Sequence, residues 1–232
     1  MKVDALFLAA HPDDAELFCG GTIAKLKSQG YTVGIIDCTE GEAATHGTVE
    51  ERYKESAAAS KILDIDYRIN LKLVDGQLTD DRESQLLLVN EIRKTQATLL
   101  VAPWTDCRHP DHSALHLLAR SCHFFSGAGK FPSDHAPHRP EKLIFHLEYH
   151  DQQPSFIIDV SEHFEKRMLA VQAYKSQFFV PGEDAKDTIV GSEQFDYKMR
   201  SRAAYYGSLI DARYGEAYIS DSTLEVKDLL QL

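Results

Sequence analysis

Basic residues are in deficit in this chain. Its 25 lysines and arginines face 36 aspartates and glutamates, giving a formal net charge of −11 and a pI near 5.4. A chain this acidic has no bulk attraction for nucleic acid or an anionic membrane surface, so neither is expected as a partner. Cysteine is scarce too. Cys19, Cys38, Cys107 and Cys122 are scattered without a CxxC pair, the usage of a reduced, cytoplasmic protein. Long apolar runs are missing. The longest near the start, Ala5 to Ala10, is far too short to cross a bilayer and lacks the cationic flank and cleavage site of a signal peptide. No G-x-G-x-x-G follows the first strand, which argues against a dinucleotide enzyme, and no G-x-S-x-G elbow marks a serine hydrolase. Internal repeats and linkers are absent as well. With 43% hydrophobic and 26% charged residues, the 232-residue chain reads as one globular domain over 1–232, not a disordered, collagenous or coiled-coil chain.

What is present is an alternation of short apolar runs and helix-like spacing. Val3–Ala10, Tyr31–Thr39, Tyr67–Leu73 and Ala97–Pro103 read as buried strands. Between them, Asp14–Gln29, Glu50–Leu63 and Asp81–Thr95 read as helices, and Pro110–Cys122 as a fourth. This order predicts an α/β fold, a three-layer αβα Rossmann-like domain with a mostly parallel central sheet. Phe124–Pro140 reads as a long loop, able to shape specificity or to make a subunit contact. Beyond it, Lys142–Leu147 and Ser155–Val160 are expected strands. Ser161 is the expected cap of a helix reaching Tyr174, Phe178–Gly191 is a loop, and Gln194–Arg213 the last helix.

Histidine is abundant, and eight of the 11 lie between His109 and His150. The first strand runs into His11-Pro12-Asp13-Asp14. Proline restricts His11 to extended backbone and fits the first turn of a helix. This sets the imidazole and the Asp14 carboxylate at the carboxyl edge of the sheet, where ligands of open parallel sheets bind and where the two side chains can converge on one cation such as zinc. Asp13 is left as a possible general base, although aspartates at a helix start often only cap it. The fourth strand leads in the same way to His109-Pro110-Asp111-His112. Two independent His-Pro-Asp turns at one sheet edge favour metal binding over capping.

In this order and spacing, AHPDDAE and HPDH resemble the LmbE/PIG-L family of zinc-dependent N-acetylglucosamine deacetylases. Thr39-Glu40-Gly41-Glu42, Gly47-Thr48 with Arg52 and Glu55, Asn70–Leu73 with Asp75-Gly76, and Tyr214–Tyr218 resemble further family segments, so the likeness spans nearly the whole chain. The run Tyr174-Lys175-Ser176-Gln177-Phe178 resembles the branch that deacetylates N-acetylglucosaminyl malate in bacillithiol biosynthesis. The resemblance implies one Zn2+ per chain held by His11, Asp14 and His112, with Asp13 as general base. It implies that His109 stabilises the oxyanion or protonates the leaving nitrogen, with Asp111 holding its ring. Arg52 matches a sugar-contacting arginine. Trp104 would wall the pocket or pack in the core, and Tyr197 would help hold the oxyanion. The implied partner is a small amino-sugar conjugate, and relatives suggest a homo-oligomer. The alternatives are a deacetylase or amidase of another glucosamine conjugate and an inactive carbohydrate-binding protein. Against the latter, Asp13 and His109 are both intact, and binding alone needs no base beside a metal.

Overall fold

The computed structural model describes the chain except for Met1, Asp106, 149–151, Glu183, 226–227 and 229–232. His150 is therefore outside the described residues. Among the described residues, seven strands form one sheet: β1 (Ala5–Ala9), β2 (Val33–Thr39), β3 (Tyr67–Leu73), β4 (Leu99–Pro103), β5 (Lys142–His146), β6 (Phe156–Asp159) and β7 (Gly215–Ile219). Among the same residues six helices flank it: α1 (Asp14–Ser28), α2 (Val49–Leu63), α3 (Arg82–Thr95), α4 (Pro110–Ser126), α5 (Phe164–Gln172) and α6 (Glu193–Ser208). The strand order is β3-β2-β1-β4-β5-β7-β6. The first five strands are parallel, and β7 runs antiparallel to both its neighbours. The expected three-layer α/β architecture with a mostly parallel sheet is what the chain adopts.

Burial on both faces explains why the parallel strands are apolar runs. Along β1, Ala5, Phe7 and Ala9 enter a core shared with α1, α2 and α5. The alternate residues Leu6, Leu8 and Ala10 enter a second core shared with α3 and α4. The chain winds outward from β1 to β3 and then crosses to the other side of β1 to form β4. The order therefore reverses between β1 and β4, which pair in register from Ala5↔Leu99 to Phe7↔Val101. A crevice opens at the carboxyl ends of strands that part in this way.

Several boundaries differ from expectation, each for a local reason. Ser161 does not cap α5. Its hydroxyl bonds Asp159 Oδ1, and His163 stands at the helix start. The last helix stops at Ser208, because the chain turns back to add β7, an antiparallel strand that the sequence reading did not contain. α4 runs on to Ser126. The segment after it is fastened away from the sheet crevice by Arg93, whose guanidinium donates to the carbonyls of Phe125, Ser126, Ala128 and Phe131. It plays no part in lining the cavity described below.

Candidate active site

The turn after β1 is unusual. Asp13 has φ 138°, a backbone conformation rare outside glycine and one that stores roughly 1–3 kcal/mol of strain. Its side chain makes no cap bond. The strain has a local return: it turns Asp14 back so that Oδ2 accepts the His11 backbone N–H at 2.8 Å. That same oxygen lies 3.3 Å from His11 Nδ1 and 3.2 Å from His112 Nε2, and the two nitrogens are 3.4 Å apart. A tetrahedral cation with bonds of about 2.0–2.1 Å holds its donors roughly 3.3–3.4 Å apart, so this two-nitrogen, one-oxygen triangle fits one face of a zinc-like coordination shell.

The outer nitrogen of each ring is also held. His11 Nε2 lies 3.0 Å from Asp75 Oδ1 and 3.3 Å from Asp111 Oδ2. His112 Nδ1 lies 2.7 Å from Glu148. Carboxylates behind ligating histidines fix the ring orientation and raise its basicity. Burial disfavours charge on both rings, yet Asp111, Asp14 and Asp75 around His11, and Asp14 and Glu148 around His112, raise both pKa values well above the ordinary histidine value. Burial likewise opposes ionisation of Asp14, but His112 and His11 hold its carboxyl well below the usual carboxylate range. An oxygen that stays ionised between two nitrogens is a cation-binding arrangement.

Asp13 sits beside this triangle and differs from Asp14 in kind. Burial pushes its carboxyl up to about 7, against the pull of the Arg52 guanidinium, whose Nη1 donates to Oδ2 at 2.9 Å. His109 begins α4, and its Nδ1 accepts the Asp111 backbone N–H at 3.3 Å. The neutral ring therefore carries its proton on Nε2 and can donate from there. Burial lowers its pKa, as do His11 and His112, which favours the neutral form. A cavity of ≈580 Å³ opens over these groups, with Phe18, Ile189 and Phe195 among its apolar walls.

The match to a family model comes from the same part of the chain. Residues 6–123, half of the chain and the stretch carrying both His-Pro-Asp turns, match the model described as PIG-L, GlcNAc-PI de-N-acetylase. The chain belongs to this family. Like its PIG-L relatives it is a deacetylase, a hydrolase of an amide C–N bond. A diacetylchitobiose deacetylase of Thermococcus kodakarensis is 29% identical over 226 residues, covering 91% of this chain and 80% of the relative. The crystal structure of the conserved protein TT1542 from Thermus thermophilus superposes with a TM-score of 0.88 at 37% identity, over 97% of this chain and 98% of that one. The N,N'-diacetylchitobiose deacetylase of Pyrococcus horikoshii superposes at 0.80 and 27% identity, over 92% and 82%.

Within this PIG-L domain, the residues expected at the site separate into three groups. His11, Asp13, Asp14, His109 and His112 converge on the cavity. Asp111 and Arg52 are present in altered parts. The Asp111 carboxylate does not hold the His109 ring. It accepts from Gly76 N at 2.7 Å and Leu78 N at 3.2 Å and faces His11 Nε2, because the helix start aims it back toward the 75–78 turn. Arg52 lines the cavity but is only 3% exposed, and its Nη1 donates to Asp13 Oδ2 at 2.9 Å, so it positions that carboxylate, while its Nε has no hydrogen-bond partner among the described residues. Trp104 and Tyr197 fall outside. Trp104 packs edge-on against His116 and Phe145 behind the sheet edge, and Tyr197 is 74% exposed on α6. Glu148 is a site residue that no sequence motif marks. It follows β5 without a local motif, and the one available signal was an acidic residue just past the end of a buried strand.

Proposed function

We propose that this protein is a zinc-dependent hydrolase that removes the acetyl group of an N-acetylglucosamine conjugate. Its substrate in this reading is N-acetylglucosaminyl malate, converted to glucosaminyl malate and acetate in bacillithiol biosynthesis in the cytoplasm. The observation that carries the chemistry is the His11–Asp14–His112 triangle with a separate carboxylate, Asp13, beside it. His11, Asp14 and His112 would hold the metal, which when bound supplies a Lewis acid that polarises the amide carbonyl and acidifies water. Asp13 takes the proton of the attacking water as it adds to the acetyl carbon. Arg52 fixes one oxygen of that carboxylate and so sets its direction. His109 donates from Nε2 to the carbonyl oxygen as negative charge grows there. When the C–N bond breaks, Asp13 returns the proton to the departing amine, and acetate is the second product. A group with a pKa near 7 can do both, since it gives and accepts protons readily at neutral pH.

An acidic aglycone is supported by Arg108. This cation lines both the main cavity and an adjoining chamber of ≈310 Å³ that Lys198 and Arg202 also line. Gln177 and Phe178, from the run that resembles the malate-conjugate branch, line the main cavity. The test is release of free amine from N-acetylglucosaminyl malate by metal-stripped and zinc-restored protein, with N-acetylglucosamine and N,N'-diacetylchitobiose alongside. Zinc-dependent release, fastest from the malate conjugate, is expected. Faster release from the neutral sugars would overturn the malate assignment, and release from none of the three would overturn the substrate class.

A further inference from the structure

Cys107 lies in the loop between β4 and α4 and is the only cysteine among the four that is not buried. It is also not isolated. Its sulfur is 3.3 Å from His112 Nδ1 and hydrogen-bonds Glu148 Oε2, and Glu148 Oε1 lies 2.7 Å from the same ring nitrogen. A thiol, a carboxylate and an imidazole nitrogen thus meet at a second point, on the far side of the His112 ring from Asp14. All three residues line the main cavity, which gives an ion a route in.

We propose that Cys107, Glu148 and His112 Nδ1 form a second, weaker site for a thiophilic divalent cation, and that filling it slows the enzyme. The sulfur selects zinc or cadmium over magnesium, which prefers oxygen ligands and keeps its waters. Binding must expel the thiol proton and the proton that His112 shares with Glu148, while the first site already holds an ionised aspartate. The second ion therefore binds less tightly. Glu148 turned toward an ion no longer holds the His112 ring, and loss of such an outer partner lowers metal affinity or activity by about 10–100-fold. The inference rests on His112 serving the first ion through Nε2, as in the proposed function.

The structure supplies its own probe. In the native protein Cys107 is the only partly exposed thiol, so an aromatic disulfide reagent should react rapidly with one sulfur per chain. Metal-stripped protein is titrated with zinc or cadmium, with bound ions counted after dialysis and the rate of thiol labelling followed alongside. Two bound ions are expected for the native chain and one for Cys107→Ser. Labelling should persist through the first equivalent and fall at least tenfold with the second, and magnesium should leave it unchanged. Zinc beyond one equivalent should inhibit the native chain but not the variant. One bound ion in the native chain with Cys107 still reactive would overturn the second site while leaving the first intact. Two ions in both proteins would overturn the role of Cys107, and no bound ion would overturn both sites.

Discussion

Asp13 and Asp14 are chemically identical neighbours with opposite environments. Asp14 lies between two imidazoles that keep it ionised, and Asp13 is buried against one guanidinium that only partly compensates its burial. Pairs of like groups pushed apart in this way mark a division of labour, here ligand against base. Asp13→Asn is expected to lower kcat by about 10²–10⁴-fold while metal content stays at the native level. It also leaves Arg52 as a buried cation without its carboxylate, a loss that costs about 3–5 kcal/mol in comparable pairs. The double variant Asp13→Asn, Arg52→Gln separates the two effects. Urea unfolding should show stability regained and turnover assays should show activity still lost. Recovery of activity would mean that Asp13 acts only as the counterion of Arg52.

At the scale of elements, α1 is fastened by parts of the chain that come late in the sequence. Glu216 of β7 accepts from the backbone of Gly21 at 2.8 Å and of Thr22 at 2.7 Å, and Arg167 of α5 donates to Leu17 O at 2.6 Å. Two late elements thus reach into the middle of the helix whose first turn carries Asp13 and Asp14. The approach needs glycine. A Cβ on Gly21 would lie 2.7 Å from Val160 Cβ and 2.8 Å from Glu216 Oε1. Alanine would gain about 1 kcal/mol in helix propensity, but overpacking costs about 1–3 kcal/mol, and here it also disturbs a buried acceptor. Gly21→Ala is therefore expected to destabilise the fold, read as a lower urea midpoint with little change in slope. A rise in the midpoint would mean that β7 moves aside at little cost. This tie was closed to sequence reading because β7 itself was. Gly215-Glu216-Ala217-Tyr218-Ile219 is short and carries a charge, and its strand character comes from pairing with β5 and β6. The parallel strands were legible because both faces are apolar, and the two His-Pro-Asp turns because histidine, proline and aspartate fall within four residues. Glu148, the second role of Asp111 and the exposure of Tyr197 depend on contacts between residues far apart in sequence, which no local pattern records.

For the whole molecule, the site joins two strand–helix units across the switch between β1 and β4. The carboxylates of Asp13, Asp14, Asp75 and Glu148 line the cavity and that of Asp111 stands behind His11, in a chain that is already strongly acidic. A divalent cation held there, as proposed, would offset like-charge repulsion and would bind the assembled state alone. At a free concentration about 100 times its Kd, a ligand stabilises the fold by about 2.7 kcal/mol. For a domain of this size that corresponds to a rise in Tm of roughly 5–11 °C. Calorimetry with and without a chelator should show that difference, and its absence would mean that the donor triangle holds no ion tightly.

The distance in sequence between the donors has a consequence for how the protein comes into being. His11 and Asp14 are made early and His112 about a hundred residues later, and they meet only after β4 has inserted beside β1, a long-range parallel pairing that is slow to form. Before that moment the early turn has one imidazole and one carboxylate, too few donors for a tight site. Metal uptake at this triangle would therefore mark the insertion of β4 beside β1, with β5, β6 and β7 still to follow in the chain, and refolding followed by metal capture would time the insertion of that single central strand.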